Sequence, residues 1–276
     1  MRAALMMGLL VAALTSDVMA QDLEVLKARP ERAGNQRPVR FEVSSSWTFG
    51  IDADQFFRDY QTVFGGRASG FDVPVGFGAS LSTYQLNDVS IGVTAGYYRA
   101  VVRENYDYRP LLRDTSFGPS QNVTQNMSLT CIPAMISLDY FPVFRQFTGY
   151  VGASVGIGHI SMQWNEELSS STLPGARRGG ERYNASHIVP AIHLRTGVSL
   201  GLDGEVGNNV RAALTLEGGY LYMPLSAPIM RDAASSFVAS VPERLRADYS
   251  MQAGGMQLRI GFLLFIRPPA KTTPRS

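Results

Sequence analysis

The residues of this chain that could do acid–base or covalent chemistry are few. The histidines are His159, His187 and His193, and the one cysteine is Cys131. Nucleophilic catalysis needs a serine or cysteine beside a base, and the base in turn needs an orienting partner. Ser186 adjoins His187, but neighbours in an extended segment point to opposite faces. The same parity puts His187 and His193 on one face and His159 on the other, so neither a triad nor a shared-face metal site is legible. A lone cysteine excludes an internal disulfide, and Cys131 reads as a small space-filling hydrophobe. The glycines from Gly152 to Gly158 are spaced like a nucleotide loop, yet no helix follows them, so they read as strand packing. No catalytic residue, cofactor or metal is expected, and the chain is not read as an enzyme.

Charge offers a different pattern. Charged residues are only 17% of the chain, net charge is +2, and both lysines, Lys27 and Lys271, lie near the ends. No basic stripe exists for a nucleic acid to follow, so none is expected as a partner. Eight charged residues instead sit at alternating positions within apolar segments: Arg40, Glu42, Asp72, Asp139, Arg195, Arg211, Glu217 and Arg259. Four arginines and four acids on one face of a closed sheet would make a charge-balanced interior. A second basic group, Arg177, Arg178 and Arg182, lies in a polar stretch and could contact an external anion such as a lipopolysaccharide phosphate.

The segments that would position these residues alternate with period two, the signature of half-buried strands. They fall near 39–49, 71–84, 89–102, 123–140, 150–162, 187–202, 210–222 and 249–266. In the first, VRFEVSSSWTF, Phe41, Val43 and Trp47 lie opposite Arg40, Glu42, Ser44, Ser46 and Thr48. In the fourth, Met127, Leu129 and Cys131 hold one register while Ile136, Leu138 and Tyr140 hold the other. A bulge near Pro133 would account for that slip. If the hairpin between the sixth and seventh strands is centred on Val206, Arg195 and Glu217 lie directly opposite and form a cross-strand ion pair.

Eight strands of about 9–11 residues suit a small membrane barrel. The connections alternate in length: 50–70, 103–122, 163–186 and 223–248 are long, whereas 85–88, 141–148 and 203–209 are short. A barrel with external loops at one rim and turns at the other has this rhythm. Two aromatic groups support it. Trp47, Phe49, Phe71, Tyr97, Tyr220, Tyr222 and Tyr249 gather at the long-loop rim. Tyr84, Tyr140, Phe141, Phe144, Phe147, Tyr150, Phe262 and Phe265 gather at the other, as interfacial belts would. An arginine facing lipid near the bilayer centre would cost roughly 2–4 kcal/mol, so the charged face is expected inside.

The remaining segments complete the organisation. Residues 1–20 have Arg2, an apolar run from Ala3 to Leu14 and small residues before Gln21, as in a secretory signal peptide. Residues 21–38 read as a flexible periplasmic lead-in, 39–266 as the barrel, and 267–276 as a polar tail. The stretches Tyr150–Gly158 (YVGASVGIG), Leu214–Tyr220 (LTLEGGY) and Arg259–Ile266 (RIGFLLFI) resemble the small outer-membrane β-barrel proteins of Gram-negative bacteria, of the OmpA transmembrane-domain and OmpX kind. That resemblance implies an all-β, eight-stranded antiparallel up-and-down transmembrane barrel in the cell outer membrane. It also implies outer-membrane lipid, lipopolysaccharide and the outer-membrane assembly machinery as partners. A bore this narrow is filled by side chains, so the expected role is structural or surface recognition through the external loops. The alternatives are an outer-membrane lipid-modifying enzyme and a soluble lipocalin-like barrel with the faces reversed.

Overall fold

Residues whose side chains alternate between two environments pair into one closed sheet. The computed structural model describes residues 39–58, 70–86, 89–109, 118–141, 148–169, 182–205, 210–227 and 249–266. The expected signal peptide, lead-in and tail lie outside the described residues. Among the described residues there are ten strands: β1 Val39–Phe49, β2 Val75–Leu86, β3 Val89–Tyr108, β4 Gln121–Tyr140, β5 Thr148–Leu168, β6 Arg182–Glu205, β7 Val210–Tyr222, β8 Pro224–Ala227, β9 Tyr249–Gln252 and β10 Gly255–Ile266. Eight of them close a barrel in the order β1-β10-β7-β6-β5-β4-β3-β2, every pair antiparallel. The ring is closed by β1 against β10, from Val39 opposite Ile266 to Phe49 opposite Met256. No helix among the described residues is long and apolar enough to cross a membrane, which does not bear on a barrel.

We call the rim where Val39 enters and Ile266 leaves the lower rim. At the upper rim the barrel strands are separated by 50–74, 109–120, 169–181 and 223–254; at the lower rim by 87–88, 141–147 and 206–209. The strands β3 to β6 have 20, 20, 21 and 24 residues, about twice the ~9–11 that a bilayer requires. They absorb much of what the sequence presents as loop at 103–122 and 163–186. The eighth expected strand, 249–266, is divided: Tyr249–Gln252 pairs with β8 in a separate two-stranded sheet, and Ala253 and Gly254 break the run before β10.

In the lower half the outer surface is apolar. Val93, Ile136, Val155 and Ile192 form one row across β3 to β6 and all point outward; Ile136 is 62% exposed. Proceeding upward, the last row of this band holds Ile132, His159 and Ile188. The next outward row is Arg99, Thr130, Ser161 and Ser186, and every further described outward row on these strands is dominated by polar side chains. The chemistry of the exterior thus inverts within one step of two residues.

The interior inverts at the same height, in the opposite sense. Above the seam the bore holds an apolar core of Met127, Leu129, Cys131, Ile160, Met162 and Trp164, closed by Ala53, Phe56 and Phe57 from the segment after β1. Residues 54–58 form a short helix. Phe56 stacks edge-on against Phe57 and Trp164, with centroids 5.2 and 6.3 Å away. The segment is fastened by Asp52, whose N–H donates to the Gln252 carbonyl at 3.1 Å and whose carbonyl accepts from the Gln252 N–H at 2.8 Å.

This inversion removes the bulge expected at Pro133. All odd residues of β4 from Gln121 to Asp139 point inward, and its ladder with β5 has no register shift. Met127, Leu129 and Cys131 are apolar because the bore is apolar there, whereas Ile136, Leu138 and Tyr140 are apolar because the exterior is apolar lower down. Pro133 merely lacks an N–H, and the β3–β4 ladder skips the two rungs at Gly96 and Tyr97. Phe71 is another correction. It lies before β2, turns inward and packs edge-on against Phe57 at 5.1 Å rather than joining the outer belt. Pro74 cannot donate to a ladder, and the paired strand begins after it, at Val75.

A packed upper bore makes a quantitative demand. Trp164→Ala, in a fully buried site, should cost about 3–5 kcal/mol, and Ile136→Ala, on the exterior, far less. Urea unfolding of the two variants, followed by loss of β-signal, tests the difference.

Candidate functional site in the lower bore

Three guanidiniums and three carboxylates converge in the lower half of the bore: Arg40, Arg195, Arg259, Glu42, Asp139 and Glu217. They are the inward residues of β1, β4, β6, β7 and β10, and all but Glu42 and Arg195 are buried outright. Two of the eight charged residues expected there are not part of the group. Asp72 precedes β2 and is exposed. Arg211 stands exposed at the lower rim, opposite Phe265 and beside the register shift between Gly201 and Glu205, where the β6–β7 ladder loosens.

The contacts do not join nearest neighbours. Asp139, Gly152 and Arg195 form one row across β4, β5 and β6. Because Gly152 has no side chain, Arg195 reaches across β5 and grips Asp139 with Nη2 at 2.8 and 2.9 Å and Nε at 3.0 Å. A Cβ on Gly152 would strike both partners. The arrangement recurs one row lower. Tyr150 reaches across Gly197 and donates its hydroxyl to Glu217 at 2.8 Å, and a Cβ on Gly197 would meet the Tyr150 ring. It occurs a third time where Thr215 on β7 donates to Glu42 on β1 at 2.8 Å across Gly261 of β10.

Glu217 links these bridges. It lies 3.6 Å from Arg195 Nε and 3.4 Å from Arg259 Nη1. Arg259 also donates to Gln257 at 2.9 Å, and Gln257 donates to Thr48 at 3.1 Å. The expected Arg195–Glu217 ion pair exists, but not as a directly opposed pair. The ladder sets Arg195 opposite Gly219 and Glu217 opposite Gly197, two residues out of the expected register, and the two residues meet on the diagonal. The stronger partner of Arg195 is Asp139.

Aromatic rings close the network from below. The Arg40 guanidinium lies 4.4 Å from the Phe141 ring centroid, 5.5 Å from Phe265 and 6.0 Å from Tyr150, within the ~6 Å at which a cation is attracted to a ring face. Phe141 and Tyr150 therefore face the bore rather than the outer belt. Of the expected belts, Phe49, Tyr97, Tyr220 and Tyr222 do point outward above, and Tyr140 and Phe262 below. Phe144 and Phe147 lie outside the described residues, as do Arg177 and Arg178. Arg182 opens β6, exposed on the outer face.

The histidines fall as parity demands: His193 is fully buried in the bore, His187 faces it half-buried, and His159 is exposed outside. Ser186 faces out while His187 faces in. The gap beside Arg40, Glu42, Asp139 and Arg195 measures about 10 Å³, scarcely room for one water. Among the described residues no group of three His, Cys, Asp or Glu side chains could hold a metal. The arrangement can lock strands together; it offers no chamber for a substrate.

Comparison with known proteins places few constraints on this chain. No protein-family description and no curated protein matches it. Among solved structures, Neisserial surface protein A matches at 12% identity over 84% of this chain and 97% of that one, with a TM-score of 0.37. The attachment invasion locus protein Ail of Yersinia pestis, solved with the heparin analogue sucrose octasulfate, matches at 9% over 85% and 100%, with a TM-score of 0.34. The outer membrane protease OmpT of Escherichia coli matches at 9% over 85% and 97%, with a TM-score of 0.29. Identities this low transfer no site residue, and the closed ring stands on its own ladders.

The bridges over glycine predict a specific energetic pattern. Glu217→Gln leaves Arg195 and Arg259 under-compensated in the bore and should cost about 3–5 kcal/mol. The double replacement of Asp139 and Arg195 by Leu and Met should cost less than either alone, a coupling that chemical denaturation of the four-member cycle measures.

Proposed function

We propose that this protein is a non-enzymatic outer-membrane β-barrel whose role is structural or one of surface recognition through its upper, long-loop rim. The observation that carries the reading is the apolar outer band of a closed barrel whose lower bore is polar and filled. Exposed Val, Leu and Ile side chains encircle the lower half, while arginine and carboxylate pairs lie inside it. Water on the outside would favour the reverse. Soluble chains rarely expose an apolar surface this continuous, whereas a barrel in lipid needs one. The filled bore supports a scaffold rather than a diffusion pore or a ligand-holding barrel. The separation of Ser186 from His187 across the wall supports a binder rather than a hydrolase.

On this reading the apolar band contacts outer-membrane lipid, the polar upper strands and loops project outward, and lipopolysaccharide and the outer-membrane assembly machinery are the partners. Any extracellular partner would be met at the upper rim. A nucleic acid is not among the partners. Two measurements test it. Full-length protein refolded in detergent should migrate differently in SDS before and after boiling; identical migration by a protein soluble without detergent would overturn the proposal. In lipid vesicles Ile136→Arg should cost roughly 2–4 kcal/mol, and Thr124→Arg, outward but above the seam, close to nothing. In a water-soluble barrel both would be neutral, since both positions are exposed.

A further inference from the structure

Directly above the apolar band, on the outer wall formed by β3 to β6, lies a concave surface of about 480 Å³ whose lining includes Arg99, Ser128, Gln163, Asn165, Arg182 and Asn184. That volume is within the ~300–1,000 Å³ typical of ligand clefts. The ladders explain its construction. Ser128, Gln163 and Asn184 share one outward row across β4, β5 and β6, and Asn165 and Arg182 share the row above. Arg99 stands in the row below, immediately over Tyr97 and Ile132.

Its chemistry is selective. The lining has two guanidiniums and no carboxylate. Arg99 Nη2 donates to Ser128 Oγ at 3.2 Å, and Arg182 Nε donates to Asn165 Oδ1 at 3.2 Å. A guanidinium carries five N–H donors, so each bond steadies the fork and leaves donors to spare. Planar forks of this kind suit phosphate. Amide side chains from Gln163, Asn165 and Asn184 supply both donors and acceptors, as sugar hydroxyls require. The outward residues underneath are Ile132, Ile157 and Ile188, the last 72% exposed.

The geometry points to a binding site for the phosphorylated sugar headgroup of an amphiphile, with its acyl chains lying on the apolar band below. The site rests on the membrane reading of the barrel and adds to it a lipid contact at the wall, separate from recognition at the loops. A soluble anion would need only the cleft; the continuity of cleft and band over one step of β4 is what an amphiphile uses.

The test is titration of full-length protein, refolded in zwitterionic micelles, with fluorescent lipid A, a bisphosphorylated, acylated glucosamine disaccharide, followed by anisotropy. R99Q/R182Q should weaken binding by about tenfold or more, the loss of charge-assisted bonds. N184D, a single exposed change that brings a carboxylate into the cleft, should weaken it in the same direction. Both variants should retain the heat-dependent gel shift that reports a closed barrel. Equal affinity in wild type and variants overturns the site. So does equal binding of dephosphorylated lipid A, or acyl-free glucosamine bisphosphate binding as tightly as lipid A. A wild type that shows the gel shift but no lipid A binding sinks this inference alone, whereas a chain folded and soluble without detergent sinks the membrane reading with it.

Discussion

Closing a sheet after eight strands leaves a bore no wider than the side chains projecting into it. The wall is one residue thick, so each strand residue belongs either to the bore or to the exterior. Side chains from adjacent strands cannot all be large, and a charge in the bore cannot be hydrated freely. Glycine resolves both demands. Where Gly152, Gly197 and Gly261 leave a row empty, a long polar side chain crosses the gap to a partner two strands away. These bridges tie β4 to β6, β5 to β7 and β7 to β1, contacts that backbone ladders cannot make. An ion pair of this kind stabilises little by itself, because desolvation offsets much of the attraction. Its effect is to make one arrangement of strands far better than its neighbours, since a slip of one residue would aim every charge outward.

The bore is held differently above the seam. There Trp164, Met127 and Phe56 supply dispersion and burial in place of ion pairs, and the exterior turns polar. One sheet thus carries two opposite assignments of inside and outside: all eight strands close it below, whereas above the seam β3 to β6 continue alone, their inner face covered by Ala53, Phe56, Phe57, Leu225 and Met251. Parity along β4 is unbroken throughout. What changes is the surroundings, and with them the residue type each face requires.

That distinction explains which features were legible in the sequence. Alternation identifies strands and the contrast between their faces, and closure follows from the number of strands and the rhythm of their connections. Alternation does not say which face is which. In β4 the apolar residues move from odd to even positions around Pro133, and a bulge and an inversion of environment leave the same trace. The even-numbered set above Pro133, Asn122, Thr124 and Asn126, does not separate them, because a polar lumen would suit these side chains as well as water outside does. Long-range partners were harder to read. Arg195 and Glu217 are visible as a pair, but counting outward from Val206 takes no account of the register shift between Gly201 and Glu205. Asp139 reads as inward-facing but not as the main partner of Arg195, because contact across an intervening strand depends on a glycine in the middle row. Gly152, Gly197 and Gly261 at inward positions were that signal.

The aromatic residues carry the same ambiguity. Tyr150 and Phe141 stand at a rim height where an interfacial belt would place them, and height is all that chain position fixes. Their rings turn inward, where the Arg40 guanidinium lies over them. With that end closed by rings and the other by Phe56 and Phe57, the described bore is shut at both ends. On the proposed reading, the surface left for selective binding is the polar upper exterior, whose most sharply defined part is the seam. There, one rung separates a side chain suited to hydrocarbon, Ile132, from one suited to water, Thr130. On the membrane reading proposed above, such a boundary would fix the barrel's height at the interface, and it is there that a molecule itself half polar and half apolar could satisfy both halves at once.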